Sequence, residues 1–179
     1  MSEPVKLRLL AESDLAAYKR LRDQMLTHHP DAFTSDAETE RAREAASYRT
    51  RLSGGSNGTC LFTLVAAAGS GSGVELLGAI SCERELRAKV RHIAHVAGMM
   101  VSPDSQGRGI GRELLEAAIR LLGKQDSLEL ITLSVTSSNK VAVKLYESCG
   151  FSRYGRLGAA LKLPDGRLLD KDLMSRRLR

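Results

Sequence analysis

Residues Val101 to Leu122 read VSPDSQGRGIGRELLEAAIRLL. Gly107, Gly109 and Gly111 alternate ahead of a strong helix-forming run, with Arg108 and Arg112 set among them. Glycine in a first helical turn costs stability, so the ladder needs a reason. A helix N-terminus carries unpaired backbone N–H groups and a partial positive charge, and it seats phosphate readily. Glycines let a bulky anion approach the backbone, and the two arginines add charge and donors. Alternatively, the glycines merely permit a tight turn. A P-loop is excluded, because Gly111 is followed by Arg112 and Glu113 rather than Lys and Ser or Thr. A dinucleotide fingerprint fits no better: the spacing is G-x-G-x-G, and SPDSQ intervenes after Val101.

Working outward, VRHIAHVAGMMV (90–101) reads as a strand leading into the ladder, and LELITLSV (128–135) as a buried strand after the helix. Gly123 is expected to stop the helix as a C′ residue. This β–α–β unit places strands 90–101 and 128–135 side by side and parallel. SNKVAVKLYESCG (138–150) reads as an amphipathic helix with Ser138 as N-cap and Gly150 as C′ residue. Segments 151–163 and 167–178 read as strands joined at Pro164-Asp165-Gly166. Upstream, Val5–Leu10 alternates like an edge strand, and a helix capped by Ser13 ends at Pro30. A polar surface helix is expected over 37–52. Strands 59–68, 74–87 and 90–101 form an antiparallel meander, with the flexible GSGSG (69–73) between the first two.

The chain has 179 residues, a length for one domain spanning 1–179, and 42% of them are hydrophobic, enough for a core. MSEPVKLRLL lacks a signal-peptide pattern, and no run approaches the ~20 apolar residues of a membrane helix. Cys60, Cys82 and Cys149 are an odd number without C-x-x-C spacing, and they read as buried free thiols of a reducing, cytoplasmic compartment. His28, His29, His92 and His95 form no metal pattern with them, so no metal is expected. The net charge of +6 suggests an anionic partner, either nucleic acid or a phosphate-rich cofactor. With 4% aromatics and no tryptophan, there is little from which to build a base-stacking platform.

The ladder is accompanied by two further motifs. Gln106, Gly109 and Gly111 match Gln/Arg-x-x-Gly-x-Gly/Ala, the preceding GMMVSPDS ends a strand in apolar-x-Val-x-Pro fashion, and TSSNKVAVKLYESCGF carries Asn followed by Leu-Tyr-Glu-x-x-Gly-Phe. In these three motifs, and in element order from Val5 to Leu178, the chain resembles the GNAT superfamily of acyl-CoA-dependent N-acyltransferases. The resemblance implies an α/β (α+β) fold. It would have one mixed, mostly antiparallel twisted sheet of about seven strands and about four flanking helices, splayed at a β-bulge between the fourth and fifth strands. It implies acetyl-CoA as cosubstrate, with its pyrophosphate on the backbone of Gln106, Gly107, Arg108, Gly109, Ile110, Gly111 and Arg112. It implies a bulge near Met99 and Met100, with Met99, Met100 and Val101 pairing the pantetheine arm through main chain and one N–H polarising the thioester carbonyl. Core filling is a compatible role for the two methionines.

Asn139 and Tyr146 lie seven residues apart, on one helical face. The resemblance sets Asn139 against pantetheine and makes Tyr146 the general acid for the departing thiolate; an ordinary buried tyrosine is the alternative. The attacking amine must be deprotonated first. His95 sits where some family members carry a catalytic glutamate and is the candidate base, with Glu83 on the neighbouring strand as fallback. The acceptor is a small-molecule or peptide amine. In the family, the first two helices and the last hairpin shape its pocket. Asp31, Asp36, Glu38 and Glu40 could attract a cationic amine or simply form a solvated helix start. The reading is thus an acetyltransferase working by direct attack in a ternary complex. It is weighed against a basic nucleic-acid-binding module and a non-catalytic coenzyme A-binding regulator, with no membrane partner and with homodimerisation open.

Overall fold

Nearly continuous apolar runs make the buried strands at the heart of the sheet, and one sheet joins seven strands among the described residues. In the computed structural model, which describes residues 5–55, 58–69 and 73–179, these are β1 (Lys6–Leu9), β2 (Cys60–Ala68), β3 (Glu75–Arg84), β4 (Ile93–Val101), β5 (Leu130–Thr136), β6 (Ser152–Lys162) and β7 (Leu168–Arg177). The sheet order is β1-β2-β3-β4-β5-β7-β6, antiparallel throughout except for the parallel β4–β5 pair. The chain therefore has the mixed, mostly antiparallel sheet and flanking helices that its motifs imply. Most of the expected 69–73 connection, and the first four residues, lie outside the described residues.

The helices are α1 (Leu15–His28), α2 (Ala37–Arg41), α3 (Ile110–Gly123) and α4 (Lys140–Ser148). On one face of the sheet, α3 buries Leu114, Leu115, Ala118 and Leu122 against Ile80, Ala94, Ile131 and Leu133. On the other, α1 buries Tyr18, Leu21 and Met25 against Val65, Ala79 and Met100. Both stripes follow the helical i, i+3, i+4 spacing.

Four local expectations change. Ser13 does not cap α1; it lies in a 3-10 turn at Glu12–Asp14, where the Asp14 carboxylate accepts from the Ala11 N–H and pairs with Arg8. The helix expected over 37–52 breaks into α2 and a 3-10 turn, Ala45–Arg51. Its Glu40 and Tyr48 are buried, because Glu40 accepts from Tyr48, Arg22 and Arg43. Gly123 stays helical, and the C-cap is Lys124 in a right-handed conformation. Asn139, not Ser138, caps α4: its Oδ1 accepts from the Ala142 N–H at 3.1 Å. Gly150 does take the left-handed conformation expected after that helix, with φ of 84°.

The sheet opens at one place. β4 and β5 pair only from Ile93↔Leu130 to His95↔Thr132. Just beyond, the β3–β4 register slips: Ser81 faces Ala97, yet Ala79 faces Met100. Two residues, Gly98 and Met99, oppose Ile80 alone. This is a β-bulge with Gly98 in the left-handed region, at φ of 58°. The extra residue turns β4 away from β5, and the two strands diverge.

Candidate active site

The divergence leaves a slot of about 550 Å³ lined by both strands, by the loop and first turn of α3, by one face of α4 and by the end of α1. Its floor is the bulge. The bulge falls one residue earlier than the sequence reading placed it. Gly98 is its pivot, and Met100 points into the α1-side core at 1% exposure. Met99 stays half-buried and lines the slot, as do the main chains of Met100 and Val101.

At one end of the slot lies the glycine ladder, and its three glycines do different work. Gly107 and Gly109 hold positive φ, 76° and 83°, with open space where a Cβ would stand. Gly109 is the N-cap of α3. Gly111 has ordinary helical geometry, but a Cβ there would come within 3.3 Å of Met99 Cε and 3.5 Å of Leu145. It packs closely beside the bulge and α4, whereas Gly107 and Gly109 face open space. Among the described residues, no backbone N–H between Gly107 and Arg112 has a backbone partner; the first such bond in α3 runs from Glu113 to Gly109. A row of donors at a helix start, rimmed by the exposed Arg108, is chemically suited to accept phosphate oxygens.

Arg112 is engaged elsewhere. Its guanidinium donates to Ser148 Oγ at 2.8 Å and approaches Glu116 at 3.6 Å, tying α3 to α4. Gln106 closes the loop from within, donating to the Val101 carbonyl at 3.3 Å and facing His29 Nε2 at 3.2 Å. Asn139 and Tyr146 both line the slot from α4, beside the exposed Val141. Tyr146 is 7% exposed, and its hydroxyl lies 3.4 Å from Met99 Sδ, at the bulge. Burial pushes its pKa up to about 12, so the phenol holds its proton at neutral pH.

The two candidate bases lie beyond the slot, on the α1-side face of the sheet. His95 Nδ1 is 3.1 Å from Thr132 Oγ1, at the last β4–β5 pair before the strands part. Desolvation lowers the imidazole pKa; Glu83 across the strand pulls it up and Lys171 pushes it down. The ring is therefore neutral and able to accept a proton. Glu83 is not free, because its carboxylate is paired with Arg51. The acid run at the helix start is also spoken for in part. Asp36 caps α2 by accepting from the Thr39 N–H, and Glu40 is buried.

Sequence reading missed several slot residues. Gly98 was readable in principle as a glycine inside a strand, a usual mark of a bulge. Met25, Phe33 and Ser134 reach the slot only through tertiary packing. Among the described residues, no cluster of three His, Cys, Asp or Glu could hold a metal. All three cysteines are buried and free, and no helix is long and apolar enough to cross a membrane.

A splayed parallel strand pair with a row of N–H groups at the helix start can hold a ligand that has phosphates at one end and an extended chain at the other. Residues 22–151 match the Acetyltransferase (GNAT) family, and the chain belongs to that family. Among curated proteins, it is similar to N-alpha-acetyltransferase 30 of Xenopus laevis, 35% identical over 85 residues, which are 48% of this chain and 31% of that protein. It is also similar to mycothiol acetyltransferase of Salinispora tropica, 39% identical over 62 residues, 35% of this chain and 20% of that protein. The chain thus spans under a third of the length of these relatives. Of solved structures, yncA from Salmonella typhimurium with acetyl-CoA superposes with TM-score 0.74 at 23% identity, covering 99% of this chain and 95% of that one. The ribosomal-protein-S18-alanine N-acetyltransferase of Escherichia coli does so with TM-score 0.71 at 22% identity, over 98% and 94%. At these identities the structural likeness speaks for the fold.

Proposed function

We propose that this chain transfers an acetyl group from acetyl-CoA to a primary amine by direct attack in a ternary complex. The observation that carries the reading is the alignment, in one slot, of the free N–H row at residues 107–112, the Gly98–Met99 bulge and the Tyr146 hydroxyl. The N–H row would hold the pyrophosphate. Main chain freed at the bulge would pair with pantetheine amides, and one N–H would polarise the carbonyl under attack. The amide nitrogen of Asn139 remains available for pantetheine, since its cap uses only Oδ1.

Tyr146 keeps its proton until negative charge grows on the departing sulfur, and then donates it. His95, neutral near pH 7, is the better base of the two candidates, because Glu83 is held by Arg51. A proton from the incoming ammonium would reach His95 through solvent, since the ring lies beyond the slot. An amine acceptor is supported by a relative named for N-alpha-acetylation. The test combines two readings: coenzyme A should raise the melting temperature, and acetyl-CoA with an amine panel should release free thiol. Stabilisation without thiol release from any amine would mean that the chain binds the cosubstrate but does not transfer from it.

A further inference from the structure

Three consecutive charges, Asp170, Lys171 and Asp172, interrupt the interior strand β7. The two acids are satisfied locally. Asp172 is buried and accepts from Arg156 and Ser137, while Asp170 accepts from the Ala159 N–H. Lys171 is not matched in this way. It pairs in register with Thr136 on β5, two residues past the Ser134–Leu173 pair, and Ser134 lines the slot. Its single hydrogen bond among the described residues goes to a neutral group, Thr34 Oγ1, at 2.7 Å. No Asp or Glu pairs with it. The ammonium is half-buried, and burial depresses its pKa with no acid to offset the loss.

The surroundings point the same way. Thr34 sits on the loop that follows α1, and that loop roofs the slot. The Thr136 hydroxyl donates to the Asp31 carbonyl at 2.7 Å, and Phe33 and Ala32 line the slot from the same loop. Neither Lys171 nor Thr34 lines the slot itself, but Thr34 directly follows Phe33, which does. Glu83, which pairs with His95 across strands β3 and β4, is neutralised by Arg51. A second cation, such as the far end of a polyamine, would meet repulsion there. A small anion would find an ammonium with spare N–H donors and a threonine hydroxyl free to donate.

Resting on the acetyl-transfer reading, we propose that the acceptor is a small amine that also carries a carboxylate, an α-amino acid or close analogue, seated by the Lys171 ammonium and the Thr34 hydroxyl. The carboxylate end would bind under the roof, leaving the amine directed toward the slot between β4 and β5. Acceptor selection would then depend on the negative end of the molecule, not on an acidic pocket for its amine.

The test uses the intact chain with acetyl-CoA and the twenty common amino acids, each as the free acid and as its α-amide, with spermidine as a cationic control. Thiol release gives kcat and KM. The melting temperature of the coenzyme A-loaded protein gives binding of the same compounds. The expected result is a preference of about tenfold or more in kcat/KM for at least one free acid over its amide, the size of a charge-assisted hydrogen bond. Lys171→Met should erase that preference through KM, and Lys171→Arg should restore most of it. A normal coenzyme A melting shift in Lys171→Met shows that the variant is folded. If no amine turns over but free acids still stabilise the loaded wild type and not Lys171→Met, the anion seat stands and the transferase reading fails. Turnover with no acid preference, a preference that survives Lys171→Met, or no response to any free acid overturns the proposal.

Discussion

Tyr146 and Tyr18 show how the same residue type is used in two ways. Tyr146 presents its hydroxyl at the bulge with only the weak acceptor Met99 Sδ beside it. Tyr146→Phe keeps the ring that packs edge-on against Phe151, so stability and coenzyme A binding should change little. Steady-state kinetics on an accepted amine should show kcat lowered about 10²-fold, with a smaller change in the KM for acetyl-CoA. Wild-type kcat under conditions where chemistry is rate-limiting would remove Tyr146 from proton transfer. Tyr18 is fully buried, and its hydroxyl finds no partner among the described residues. An unpaired buried hydroxyl costs stability, so Tyr18→Phe should stabilise the fold by about 1 kcal/mol in urea unfolding. A destabilised variant would mean that the hydroxyl has a partner after all. Tyr146 was legible because it falls within a motif. Tyr18 looked like any helix-stripe aromatic, and only the approach of strands β3 and β4 leaves its hydroxyl stranded.

The helix start of α3 is where element-level reasoning is most exposed to test. Gly109 is left-handed and faces open space, so a side chain there costs backbone strain without a packing clash. Gly109→Val should lower stability by about 2 kcal/mol, a cost the fold survives, and should abolish the melting shift on adding coenzyme A. A full shift in the variant would show that the N–H row is not the phosphate seat. The ladder, its helix and the parallel strands around it were all readable from spacing. The division of labour among the glycines was not: Gly111 packs closely against Met99 and Leu145, which only the fold brings beside it, while Gly107 and Gly109 face open space. The helix expected over 37–52 was misjudged for a similar reason. Its polar surface pattern hid Glu40 and Tyr48, whose burial depends on Arg22 reaching across from α1.

At the scale of the whole molecule, that buried cluster ties the α1-side layer together and sets an acid limit. Burial alone would raise the Glu40 pKa, but hydrogen bonds from Tyr48, Arg22 and Arg43 outweigh it and hold the carboxylate at about 2. A carboxylate depressed on folding stabilises the native state above its unfolded pKa, and the contribution is lost as pH falls through the folded value. Stability should therefore decline from about pH 4.5 toward pH 2, by roughly 3 kcal/mol from this group. Urea midpoints measured across that window should fall much less in Glu40→Gln, although the variant is weaker at pH 7. Equal pH slopes in the two proteins would assign the acid sensitivity to other carboxylates.

The sequence by itself determined the order of strands and helices, the parallel β4–β5 unit and the placing of a glycine-rich helix start between them. Those follow from periodicity, from glycine's access to left-handed backbone and from motifs local in the chain. Tertiary structure alone decided where the sheet opens, because the bulge exists only as a mismatch of register between β3 and β4. It also decided which charges are spent and which are free. Glu83 and Lys171 look equally available in the sequence, yet Arg51 arrives to neutralise one, and among the described residues no acid arrives for the other. Pairing of charges distant in the chain is fixed by packing, and only the folded chain shows which charges are left over.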